Sequence, residues 1–164
     1  MGFGDAVSPE PQVTDFPTLL SSPAPRLRAY PREAVVAEKL HAMVHLGMPN
    51  TRMKDFFDIW FLCREFSFDG PVLRQAILST FDRRRTPIPA EPPTALTTSF
   101  ASDPTKQTQW KAFLSRSRVS ETSVTLPEVI DAIRAFLLPE LERAARGSNE
   151  RSSWSPAGPW RISE

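Results

Sequence analysis

A single cysteine, Cys63, excludes an intrachain disulfide, and it sits inside an aromatic run where it reads as a small core residue. Glycine is scarce too, 6 residues against 17 prolines. An excess of one charge is also missing. Lys and Arg number 20 against 19 Asp and Glu, a net charge of +1, which excludes the strongly basic footprint of a dedicated nucleic-acid binder and leaves RNA contact to a local patch. No apolar run reaches membrane-spanning length and no signal-peptide pattern opens the chain, so the reading is a cytoplasmic protein without membrane contact.

What is present is proline at the joints. The clusters "SPEPQ", "SPAP", "TPIPAEPP" and "SPAGP" divide the chain, because proline fixes φ and removes a donor. "MGFGDAV" reads as a strand end running into a loop, and "FPTLL" as a short extended piece. A strand end without a ladder partner suggests that upstream sequence is missing. Residues 1–30 are thus expected to be a remnant strand and linker.

From Pro31 the pattern is helical, with Val35, Val36, Leu40, Met43 and Val44 at helical spacing and Gly47 as the stop. Asn50 or Thr51 is placed to cap a second helix from about Arg52 to Phe66, apolar almost all round. A third spans roughly 70–84. Residues 86–103 show no periodicity, Asp103 and Pro104 open a further helix, and the last begins at Pro127 and is expected to kink or break near Pro139. The helical unit is placed at 31–146, with a Pro-rich loop at 86–103 and a disordered tail at 147–164.

The charged residues within these helices need explaining. Lys39 projects from the apolar stripe of the first helix, which leaves two roles open: a stem covering apolar surface while its ammonium reaches water, or a cation aimed into a cleft at phosphate. Asp55 and Asp58 share a face of the second helix, with Arg52 three residues before Asp55 and Lys54 four before Asp58. Aspartates near a helix start complement its dipole. Asp58, however, lies between Phe57 and Ile59, and a carboxylate there needs a partner.

Lys39 and Asp55 are expected to face a common groove between the first two helices, which a short connection makes antiparallel neighbours. If that groove is a relic, Lys39→Met keeps or raises the melting temperature, and that is the expectation; if Lys39 holds Asp55 or Asp58 in a buried pair, removing it costs about 3 kcal/mol. Glu38, His41 and His45 include a His-x-x-x-His spacing that can hold zinc, but no third ligand and open site are visible. Arg83, Arg84 and Arg85 form either a local phosphate-binding patch or cations suited to a helix C-terminus.

"YPREAVVAEKLHAMVHLGMPNTRMKDFFDIWFL", with "GFGD", "FPTLL" and "APRLRAYP" before it, resembles the AbiEii/AbiGii toxin family of nucleotidyltransferases. The likeness runs from Gly2 to about Leu114. It implies a mainly α fold, the helical C-terminal half of a polymerase-beta-like nucleotidyltransferase toxin, with a remnant β-strand segment at the N-terminus. It also implies Mg²⁺ and a nucleoside triphosphate as cofactors, a cognate antitoxin and tRNA as partners, and an abortive-infection setting.

Carried onto matching positions, Lys39 in "AEKL" contacts the nucleotide phosphates and is catalytic together with Asp55, the acidic residue in "RMKD", with Arg52 and Lys54 binding nucleotide and Asp58 in support. The family's Gly-Ser element followed by an Asp-x-Asp strand, its principal metal ligands, is absent from this chain, and Asp5 in "GFGD" does not replace it. The expectation is therefore a chain inactive alone and without a metal site of its own. Two rival readings are a non-catalytic helical module contacting an antitoxin or RNA, and a helix-turn-helix DNA binder, which the net charge and the apolar second helix disfavour.

Overall fold

The fold is seen in a computed structural model that describes residues 12–15, 26–29, 31–117 and 123–164. Among these residues the architecture is mainly α: β1 (Gln12–Asp15), β2 (Arg26–Ala29), α1 (Arg32–Leu46), α2 (Met53–Glu65), β3 (Phe68–Asp69), α3 (Gly70–Arg83), α4 (Thr98–Ser102), α5 (Pro104–Arg116), α6 (Leu126–Ala145), β4 (Arg151–Trp154) and β5 (Trp160–Ser163). β1 and β2 pair antiparallel, Gln12 opposite Ala29. The expected strand end "MGFGDAV" and the extended "FPTLL" lie outside the described residues.

The helix boundaries follow from local chemistry. Asp69 accepts from the Val72 amide, Asp103 from that of Lys106, and Thr125 forms a reciprocal capping box with Glu128, in each case with proline in the first turn. α1 packs chiefly on α3, and α2 on α6. Large side chains seal the space between them: Phe56 stacks on Phe100 with ring centroids 5.3 Å apart, and Leu40, Met43, Ile59, Leu73 and Ile77 are fully buried. α6 runs unbroken through Pro139. Its apolar face against α2 and α3 outweighs the one backbone bond that proline removes.

Two further expectations are corrected. Residues 86–103 are not wholly irregular, since Thr94–Leu96 form a 3-10 turn and α4 follows, burying Leu96 and Phe100. The segment 147–164 is not a disordered tail. β4 pairs with β3 (Phe68 opposite Trp154) and β5 pairs with β4, making a three-stranded antiparallel sheet. Trp154 and Trp160 lie 5.0 and 5.9 Å from the Phe136 ring, and their indole N–H groups donate to Cys63 O and Phe136 O. Aromatic burial of this kind supplies what the polar composition of the segment lacks.

Two glycines are required by this docking. A Cβ on Gly70 would sit 1.7 Å from Ser152 Oγ, and one on Gly158, at φ +81°, would sit 2.6 Å from the Trp154 ring.

Candidate functional site

The candidate site forms where α1 meets the start of α2. Gly47, at φ +58°, ends α1 and turns the chain. Asn50 then accepts the Arg52 amide on its Oδ1 at 2.8 Å, so it caps the turn ahead of the helix rather than the helix itself. This places Arg52, Lys54, Asp55 and Asp58 opposite Lys39.

Lys39 Nζ lies 3.0 Å from Asp55 Oδ1 and 2.9 Å from Asp58 Oδ2. Lys54 Nζ reaches the same Asp58 oxygen at 2.7 Å, and Arg52 Nε lies 2.9 Å from Asp55 Oδ2, a contact with the distance of an ion pair but not the angles of a hydrogen bond. Both carboxylates are buried, Asp58 side-chain exposure being 1%, whereas the Arg52 and Lys54 side chains are more than half exposed. The cluster thus has a carboxylate floor and a cationic rim, three cations against two carboxylates. Burial works against the charge on Lys39, but Asp58 and Asp55 together outweigh it and hold the ammonium above its ordinary value. Asp58 Oδ1 is buried and lacks a hydrogen-bond partner among the described residues.

Lys39, Arg52, Lys54, Asp55 and Asp58 therefore meet in one place. Lys39 and Asp55 do face each other between the first two helices. Lys39 does more than snorkel: it is the hub between the two buried aspartates.

The other charged motifs go elsewhere. Glu38 receives Arg83 and Arg84 from the end of α3, so part of the arginine run closes on α1. His41 Nε2 lies 2.8 Å from Thr86 Oγ1 and its ring stacks with His45 at 5.8 Å. Burial and then the Arg84 charge push the His41 imidazole below its usual range. Cys63 is buried, and burial pushes its thiol up to about 12.

One residue escaped the sequence reading. Lys106 on α5 is buried and donates from Nζ to Asn50 O at 2.7 Å, beneath the turn that carries Arg52. A signal for it existed: a lysine three residues after a helix cap stands where the helix dipole opposes its charge.

The family model for the nucleotidyl transferase AbiEii toxin of type IV toxin–antitoxin systems matches residues 1–144. The chain belongs to that family. Neither a curated protein nor a solved structure matches it. The AbiEii match takes in α1, α2 and the whole Lys39–Asp58 cluster and ends before the β4–β5 hairpin. The family setting also implies an antitoxin counterpart, and among the described residues no helix is long and apolar enough to cross a membrane.

AbiEii membership raises the question of Mg²⁺. Among the described residues no group of three or more His, Cys, Asp or Glu side chains could hold a metal ion, and both cluster carboxylates already face ammonium or guanidinium groups. The residues present do not fit a Mg²⁺ centre, and no step through the metal follows from them.

Proposed function

We propose that this AbiEii chain supplies the phosphate-binding wall of a nucleotidyltransferase, and that the complete activity transfers a nucleotide to RNA, with tRNA the acceptor class. The observation that carries the reading is the Lys39 cluster: a buried pair of aspartates holds Lys39 rigidly while Arg52 and Lys54 remain open to solvent. A triphosphate carries dense negative charge, and preorganised cations meet it without reorganising. Lys39, Arg52 and Lys54 bind the phosphates, Asp55 is the acidic catalytic residue, and Asp58 orients Lys39 and Lys54.

The chain alone binds but does not transfer. Nucleotidyl transfer requires charge neutralisation at the attacking and leaving oxygens, and the chain contains no Asp-x-Asp pair to share in it. The test incubates the full chain with each of the four labelled nucleoside triphosphates, Mg²⁺ and bulk tRNA. The expected result is salt-sensitive triphosphate binding that Lys54→Ala weakens, with no label on RNA. Absence of binding for all four nucleotides overturns the phosphate-wall reading, and label transfer above a no-protein control overturns the inactivity.

A further inference from the structure

Lys106 is placed against its own electrostatic interest. It is 5% exposed, it stands in the first turn of α5 where the helix dipole opposes a cation, and no ion pair joins it among the described residues. Its compensation is modest: the Asn50 carbonyl at 2.7 Å and the face of Phe100 at 5.2 Å. A neutral apolar side chain would fill the same space without a charge to desolvate. Residues that oppose stability in this way are commonly retained for another role.

The geometry points to that role. We propose that Lys106 is a positioning residue for the triphosphate-binding rim, acting through Asn50 on Arg52; this rests on the phosphate-wall reading above. The relay has three links. Lys106 Nζ fixes the Asn50 main chain, Asn50 Oδ1 accepts the Arg52 amide at 2.8 Å, and the Arg52 side chain leans over Asp55 at 2.9 Å. Asn50 is itself 1% exposed, and its Nδ2 is buried with no hydrogen-bond partner among the described residues. The side chain thus leaves both Nδ2 donors unmet among the described residues while its oxygen stays on Arg52, a sacrifice that favours the turn over its own hydrogen bonding.

The rim cation Arg52 is more than half exposed, so core packing does not confine it beyond its contact with Asp55. The turn beneath it does, and Lys106 anchors that turn from a helix 56 residues away.

The test compares the full parent chain with Lys106→Met and with Asn50→Ala, which cuts the relay at its middle link while leaving the main-chain carbonyl for Lys106. Two quantities are read: amide hydrogen exchange, residue by residue, and the dissociation constant for inorganic triphosphate. In both variants the Arg52 amide is expected to exchange about tenfold faster while the Ile133 and Leu137 amides keep parent rates, the signature of local rather than global opening. The triphosphate dissociation constant is expected to rise several-fold.

An Arg52 amide unchanged in a folded Lys106→Met overturns the relay. If Lys106→Met fails to fold, Lys106→Leu decides by the same criterion, because Asn50→Ala removes the Arg52 amide's own acceptor and reports on that link alone. Faster exchange at Arg52 with unaltered triphosphate affinity overturns the positioning role. A parent chain that does not bind triphosphate, but whose Arg52 amide still responds, refutes the phosphate-wall reading and leaves the mechanical link from Lys106 to Arg52 standing.

Discussion

Two ionic clusters bury carboxylates in this protein, and they are closed in different ways. Glu140 on α6 is fully buried, and each of its oxygens is occupied: Arg74 Nε donates to Oε2 at 2.9 Å, while Arg143 and Ser152 meet Oε1 at 2.6 and 2.7 Å. Arg74 also donates from Nη1 and Nη2 to the main-chain oxygens of Ser148 and Glu150, so the cluster ties α3, α6 and the approach to β4 into one unit. The Lys39 cluster has the opposite finish. Asp58 Oδ1 lacks a hydrogen-bond partner among the described residues, and its outer cations face water. A network with every group satisfied specifies a structure; one left open toward solvent with an excess of cations suits a ligand.

The difference can be broken most severely at Glu140. Glu140→Gln leaves Arg74 buried beside a neutral amide, and the expected loss is about 3–5 kcal/mol in a denaturant melt. A loss below about 1 kcal/mol, the range of an exposed pair, would mean the cluster is not structural.

Lys39→Met comes next, at an expected loss of about 2–3 kcal/mol, smaller because Arg52 and Lys54 still face the carboxylates. This reverses the expectation drawn from the sequence, in which a relic groove let methionine keep or raise the melting temperature. The reversal rests on Lys39 being the shared partner of two buried aspartates. A melt that stays level or rises would restore the relic.

Alkaline pH separates the clusters without further mutation. The Lys39 ammonium is held above its ordinary value, so its contribution is fully present below the unfolded value of 10.5 and fades as pH rises through the higher folded value. The penalty of Lys39→Met is therefore expected to shrink above pH 10.5, while that of Glu140→Gln persists, because arginine stays charged. Denaturant midpoints of parent and both variants from pH 8 to 11.5 check this, and parallel decline of the two penalties would refute it.

The smallest effect belongs to the rim. Lys54→Ala removes a half-exposed partner of Asp58, and the expected stability change is under about 1 kcal/mol. Its consequence should fall on triphosphate affinity instead. A large loss of stability with unchanged affinity would make the rim structural.

The candidate site was legible because its signals are local. Lys39 on an apolar stripe and Asp58 amid Phe57 and Ile59 each declare an unmet charge within one helical turn. The arrangement between the two helices follows from the short Gly47–Arg52 connection. Lys106 was harder, since its partner Asn50 lies far along the chain and nothing in the spacing of α5 points toward it. The β4–β5 hairpin was misread for a related reason. "GSNERSSWSPAGPWRISE" has the polar, Pro-containing composition of disorder, and only Trp154 and Trp160 mark it otherwise. Their targets, Phe136 and the Cys63 carbonyl, are supplied by tertiary structure, the latter 91 residues away from Trp154.

That distance bears on synthesis. On the ribosome, α2 and α3 emerge long before Trp154, and until then the Phe136 ring and the Cys63 carbonyl have no indole to receive, and Glu140 lacks its Ser152 partner. A nascent chain shorter than this point therefore carries an unfinished core open to proteases and chaperones. The hairpin therefore closes the core late: the Trp154 and Trp160 indoles and the Ser152 hydroxyl reach Cys63, Phe136 and Glu140 only after α6 has been made.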